Sequence, residues 1–146
     1  MVLASGTHRG VLCGEGVVTG LLASVRSLHE ARIAIAAGVD VIDLKEPSEG
    51  ALGAVPLAVA RLVAALPNRP MVSATIGDLP FTADAIVPAV RAMAATRVDI
   101  VKVGIFDGDG AATLAALEPL CAEGIKLVAV MFADRAPDVA LLPRLA

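Results

Sequence analysis

Strand-like runs in this chain begin at Val39, Met71, Val98 and Lys126, a spacing of roughly 30 residues that fits one strand, one helix and their turns. An earlier run, "LLASV" at 21–25, brings the number of strands to five. Between them lie helical stretches. "RSLHEARIAIAAG" offers Ser27 as N-cap, Glu30 three residues on and Gly38 as stop. "PLAVARLVAAL" (56–66) opens on Pro56, and "ADAIVPAVRAMAA" (83–95) and "AATLAALEPLCAEG" (111–124) follow. Strand and helix in strict alternation predict an α/β fold, with a parallel sheet and right-handed crossovers. Two architectures satisfy this: a doubly wound open sheet, or part of a TIM (βα)8 barrel. No glycine-rich phosphate fingerprint follows the first strand, which weakens the nucleotide-binding version. A whole barrel takes ~250 residues, so 146 residues would cover about the first five βα units. The expected division is an N-terminal segment, 1–20, that the pattern does not place, followed by 21–146 as the N-terminal part of the barrel.

The faces of the strands point to chemistry. Alternate residues of a strand face opposite sides. In "VDIVKVGIF" (98–106), Val98, Ile100, Lys102, Gly104 and Phe106 share one side, opposed by Asp99, Val101, Val103 and Ile105. In the second strand Val41, Asp43 and Lys45 oppose Ile42 and Leu44; in the third Ser73, Thr75 and Gly77 oppose Val72, Ala74 and Ile76. Three successive strands therefore carry polar groups on one face and aliphatics on the other, and a barrel would turn the polar face inward. The chain has three lysines against nine arginines, so surface positive charge is generally Arg. Lys45 and Lys102 nevertheless both lie in strands on the candidate face, whereas Lys126 reads as a solvated residue at a strand start. Interior ammonium groups close together disfavour each other's charged form, and a desolvated free amine is the nucleophile that forms a Schiff base with a carbonyl. Asp43 could balance charge there or carry protons. The plainer alternative has both lysines snorkelling at strand ends and pairing with Asp43 or Glu46. Ser73 and Thr75 are candidate substrate-binding hydroxyls that could equally satisfy backbone groups. His29 reads as a structural helix residue, and His8 falls in the unplaced segment.

Composition narrows the class. At 57% hydrophobic and 18% charged, the chain has the profile of a compact globular protein rather than a disordered one. A net charge of −3 gives no support to nucleic-acid or membrane-surface binding. The longest charge-free apolar run, Gly50–Ala60, is too short to span a bilayer. Met1–Gly20 carries His8 and Arg9 without the apolar stretch of a signal peptide, so a cytoplasmic location is expected. Cys13 and Cys121 match no metal or redox spacing, and no metal or other cofactor is expected.

Three strings, "AGVDVIDLKEPSEGALGA", "VSATIGDLPF" and "VDIVKVGIF", resemble the (5-formylfuran-3-yl)methyl phosphate synthases from about Leu21 onward. The D-x-K-x-P-x-x-G-x-L-G-A pattern is far more specific than an isolated Asp-x-Lys pair. The resemblance implies a (βα)8 barrel that condenses two glyceraldehyde 3-phosphate molecules, losing phosphate and water. Its product is the furan precursor of methanofuran-type one-carbon carriers. It further implies that Lys45 is the Schiff-base lysine and Lys102 the proton acceptor, with Asp43 assisting. The family's K-N-P reads K-E-P here, making Glu46 a departure. The residues that the family carries after its fifth strand, including an acidic residue, a lysine and glycine-bearing late loops, have no counterpart in these 146. Two other readings remain open on the sequence: another Schiff-base aldolase acting on a phosphorylated triose, and a truncated, non-catalytic half-barrel. The apolar segment "DVALLPRLA" is expected to begin a further helix. Open strand edges lead us to expect a homo-oligomer or a partner that completes the barrel.

Overall fold

The computed structural model describes residues 20–135 and 139–144; His8 and Cys13 lie outside the described residues. Five strands form one sheet in the order of the chain, β1 (Leu22–Val25), β2 (Val41–Leu44), β3 (Met71–Thr75), β4 (Ile100–Gly104) and β5 (Leu127–Val130). Every neighbouring pair is parallel. Helices α1 (Leu28–Ala36), α2 (Leu57–Ala64), α3 (Ala83–Ala94) and α4 (Gly110–Ala122) make the crossovers. A sheet that always steps the same way through right-handed crossovers collects its helices on one face. Consecutive helices accordingly pack on one another, α1 on α2, α2 on α3 and α3 on α4. This order excludes the strand-order reversal of a doubly wound sheet within the described residues.

Strand parity explains why that face is the buried one. Ile42, Leu44, Val72, Ala74, Val101 and Val103 are all buried, and they share a core with Ala31, Ala60, Val63, Ile86, Val90 and Leu120 of the helices. Small helix residues, Ala31 of α1 and Ala60 of α2, are fully buried there, as are the larger Phe81 and Met93. Helix α1 starts as the sequence predicts: Ser27 Oγ accepts from Glu30 N–H at 3.2 Å. Glu30 reaches back to the N–H of Arg26 (2.8 Å) rather than to the cap residue itself. Gly38 ends the helix turn with φ +77°, a conformation costly to residues with a Cβ.

The strands are shorter than their apolar runs. Pairing of β2 begins at Val41 because Val39 is drawn into the helix-side core and the Asp40 carboxylate accepts the N–H of Leu21 at 2.7 Å. β5 stops at Val130, and Ala133–Arg135 form a 3-10 turn. The last described segment, Val139–Arg144, is likewise a 3-10 helix, with Pro143 inside it, rather than the start of an α-helix. Its Leu141 is buried against the core beside Gly110.

The N-terminal ends of β3 and β4 are pinned by an ion pair between Arg69 and Asp99. Asp99 also accepts the N–H of Val72 at 2.7 Å. Burial works to raise the Asp99 carboxyl, but the Arg69 hydrogen bond, the Val72 N–H and the charges of Arg69 and Lys126 outweigh it and hold it below its ordinary range. A carboxyl lowered on folding adds stability above its unfolded pKa, and that stability is lost as pH falls through the lower, folded value. Asp99→Asn is therefore expected to cost about 1 kcal/mol at neutral pH, discounted for partial exposure. Thermal unfolding of both proteins from pH 7 down to pH 2 should show that difference shrinking below the ordinary Asp range.

Candidate active site

On the sheet face opposite the helices, register sets the candidate residues in two tiers. Ser24, Asp43 and Ser73 pair in one row across β1, β2 and β3. Two residues further along, Thr75 pairs with Lys102. Lys45, just past β2, continues the ladder through its N–H to Val25 O at 3.0 Å. One step beyond the Leu44–Ala74 pair, it stands level with Thr75. The two lysines therefore flank Thr75 from neighbouring strands at the C-terminal end of the sheet, with backbones about 10 Å apart.

Asp43 is the hub of the upper surface. Its side chain is 3% exposed, and Lys102 Nζ lies 3.0 Å from its Oδ2. Ser73 donates to Oδ1 at 2.5 Å, and Ser24 Oγ is 3.4 Å from Oδ2. A buried carboxylate needs such partners, because desolvating a charge without them is costly. Thr75 is fully buried, and its hydroxyl lies 2.8 Å from the carbonyl of Gly53 and 3.2 Å from that of Leu44. It ties β3 to the loop that follows Lys45. The Lys45 side chain is half-buried and makes no hydrogen bond or ion pair with any described residue. Of the two lysines, then, one nitrogen is committed to Asp43 and the other is not. Glu46 pairs with neither; its carboxylate accepts from the N–H (3.2 Å) and hydroxyl (2.7 Å) of Ser48 and lies 3.9 Å from Arg26. The Ser48 hydroxyl, then its N–H, hold the Glu46 carboxyl below its ordinary range, with Arg26 adding to them. His29 is an exposed helix residue.

The residues that shape the rim carry no signal of that role in the sequence. Asp78 accepts the N–H groups of Ala51 (2.8 Å) and Leu52 (2.6 Å), docking the loop after β2 onto the loop after β3. Phe106 stacks on Phe132 with ring centres 5.3 Å apart beyond the ends of β4 and β5. A Cβ on Gly104 would come within 2.3 Å of the Phe106 ring, so the strand ends in glycine to let the ring lie over it. A shallow cleft beside Gly77 is lined by Glu46, Ser48, Glu49 and Pro56 and by neither lysine. No group of three or more His, Cys, Asp or Glu side chains that could hold a metal occurs among the described residues. No described helix is long and apolar enough to cross a membrane.

The sequence model of the 4-HFC-P synthase family matches residues 21–146, which is nearly the whole chain. The chain belongs to that family. Among its relatives, the (5-formylfuran-3-yl)methyl phosphate synthase of Methanocaldococcus jannaschii is 40% identical over 87 residues, covering 59% of this chain and 37% of that protein. That of Methanococcus aeolicus is 38% identical over the same length and the same shares. A Methylorubrum extorquens protein provisionally given the same name is 41% identical over 115 residues, 78% of this chain and 47% of its own. The chain thus spans about half or less of the length of these relatives. Among solved structures, 2,3-dimethylmalate lyase, a PEP mutase/isocitrate lyase superfamily member, superposes with a TM-score of 0.60 at 17% identity. The match covers 87% of this chain and 54% of that one, a likeness of fold alone.

The Asp78 clamp yields a local test. Asp78→Ala should leave the core intact but free the rim loop, so hydrogen exchange at the amides of Ala51 and Leu52 should accelerate by about 10-fold or more, as two charge-assisted hydrogen bonds are lost. Amides of β3 should exchange as before.

Proposed function

We propose that this chain is the N-terminal part of a (5-formylfuran-3-yl)methyl phosphate synthase, contributing five βα units and the imine-forming half of the active site of a (βα)8 barrel. The observation that carries this reading is the unequal state of two lysines on one polar face: Lys102 is bound to Asp43, and Lys45 has no partner among the described residues. Family membership and the position of both at the C-terminal end of the strands, where barrels of this type do their chemistry, support it.

In this reading the Lys45 amine attacks the carbonyl carbon of a triose phosphate, glyceraldehyde 3-phosphate being the proposed substrate. Water leaves and an iminium forms. The iminium draws electrons from the adjacent carbon, whose proton passes to Lys102 with Asp43 as its partner, leaving an enamine that adds to the second triose. Loss of phosphate and water then gives the furan, the proposed precursor for methanofuran-type carriers. The reaction is that of a lyase, and Lys45, Lys102 and Asp43 need no added cofactor for imine formation. Ser73 and Thr75 belong to the same surface, each with a protein partner already. The acidic net charge gives no support to a nucleic-acid partner, and the proposed reaction is that of a small-molecule enzyme of the cytoplasm.

The proposal extends to assembly. β1 and β5 each have one neighbour in the sheet, and the face that bears the site leaves Leu22, Met71 and Val128 between 37% and 49% exposed. Unpaired edges and apolar surface of this kind favour association. Sedimentation of the 146-residue chain at micromolar concentration should show self-association, and a clean monomer would count against it.

Borohydride trapping with glyceraldehyde 3-phosphate, followed by peptide mapping, tests the chemistry. The adduct should map to Lys45 and vanish in Lys45→Arg, which keeps the charge and removes the nucleophile. Trapping that survives in Lys45→Arg but disappears in Lys102→Arg would exchange the two roles. Trapping in both variants would end the Schiff-base reading.

A further inference from the structure

We infer that Ser73 is a positioning residue: its hydroxyl fixes the rotation of the Asp43 carboxylate so that Oδ2 faces Lys102, and it does so instead of touching substrate. The inference rests on the proposed imine chemistry and adds to it the group that aligns the proton transfer.

Three observations carry it. Ser73 is 4% exposed, so its hydroxyl has no open approach for a ligand. Its Oγ donates to Asp43 Oδ1 at 2.5 Å, leaving Oδ2 to Lys102 Nζ at 3.0 Å. The two residues are direct register partners on adjacent parallel strands, so the rigid ladder sets the separation that the hydrogen bond needs. A carboxylate held on one oxygen by a neutral donor cannot swing about its Cβ–Cγ bond. The competing contact, Ser24 Oγ, is at 3.4 Å on the same oxygen as Lys102 and is too long to fix the rotation.

The step it governs balances as follows. Asp43 Oδ2 takes a proton from Lys102, and the freed amine takes the proton from the carbon beside the iminium. The C–H electron pair moves into the carbon–carbon bond, and the iminium pair moves onto nitrogen as the neutral enamine. The Lys102–Asp43 pair ends with one additional proton, which it later returns to the product or to water. A carboxylate turned away from Lys102 interrupts the first of these movements without affecting attack by Lys45.

The test separates the two steps in the same chain. In deuterated buffer, with dihydroxyacetone phosphate or glyceraldehyde 3-phosphate as probe, deuterium uptake at the carbon next to the carbonyl reads proton transfer. Borohydride trapping reads imine formation. Ser73→Ala should slow deuterium uptake by about 10- to 100-fold, as misplaced catalytic groups do, while trapping at Lys45 persists. Ser73→Thr, which keeps the hydroxyl, should restore uptake. Uptake unchanged in Ser73→Ala, or absent from the unsubstituted chain despite trapping, overturns the inference. Trapping lost in Ser73→Ala but retained in Ser73→Thr also overturns it, because the hydroxyl would then serve imine formation itself. Absence of trapping in the unsubstituted chain instead overturns the Schiff-base reading, and this inference falls with it.

Discussion

A parallel sheet whose crossovers all return on one side has to put its aliphatic residues there, and everything polar on the strands is left to the other side. That constraint organises this protein. Ile42, Leu44, Val72, Ala74, Val101 and Val103 anchor the helices. The intervening residues, Asp43, Ser73, Thr75 and Lys102, are thereby gathered on one surface without any further instruction. The same period of two that builds the core also collects the candidate site.

Gathering polar groups onto one surface has an electrostatic cost, and the site's geometry shows how that cost is met. Asp43 is almost wholly desolvated, yet both of its oxygens have partners, and among the described residues no buried side-chain nitrogen or oxygen lacks one. Removing Lys102 would leave the carboxylate buried without its counter-charge, which costs on the order of 3 kcal/mol or more. Lys102 is thus both a candidate proton carrier and the counter-charge that Asp43 needs, which is why a charge-keeping arginine is the informative replacement there. Lys45 carries no such ambiguity, since no described partner depends on it.

Much of this was legible in the sequence because it depends on period and composition. The five strands, their order, the Ser27 cap and the shared face of Asp43, Lys45, Ser73, Thr75 and Lys102 all follow from local pattern. Strand ends were less legible: Val39 and Asp40 look like strand residues, but one is drawn into the core and the other turns back to Leu21. Partners distant in sequence were least legible. Asp78 reads as an ordinary loop residue until the loop after β2 is seen to need two acceptors. The stacking of Phe106 on Phe132 depends on the lateral meeting of β4 and β5, which residue type alone does not announce. Nor does parity reveal whether Ser73 turns toward substrate or toward Asp43, because both lie on the same face.

The string D-x-K-x-P-x-x-G-x-L-G-A gains a physical meaning from the fold. Asp43 and Lys45 are the two members of the string on the candidate face; the rest folds the loop that follows them. Pro47 opens a 3-10 turn, Gly50 takes φ +115°, and Leu52 is buried at the rim. Gly53 passes so close to the Glu46 carbonyl that a Cβ would approach it to 2.1 Å. Every one of these positions is backbone or packing, which explains why Glu46 can stand where the family's asparagine is expected. Its carboxylate caps the turn through Ser48 and lies near Arg26, so the added negative charge is taken up by the loop itself. The departure changes the charge of that loop, while Asp43 and Lys102 keep each other as partners at 3.0 Å.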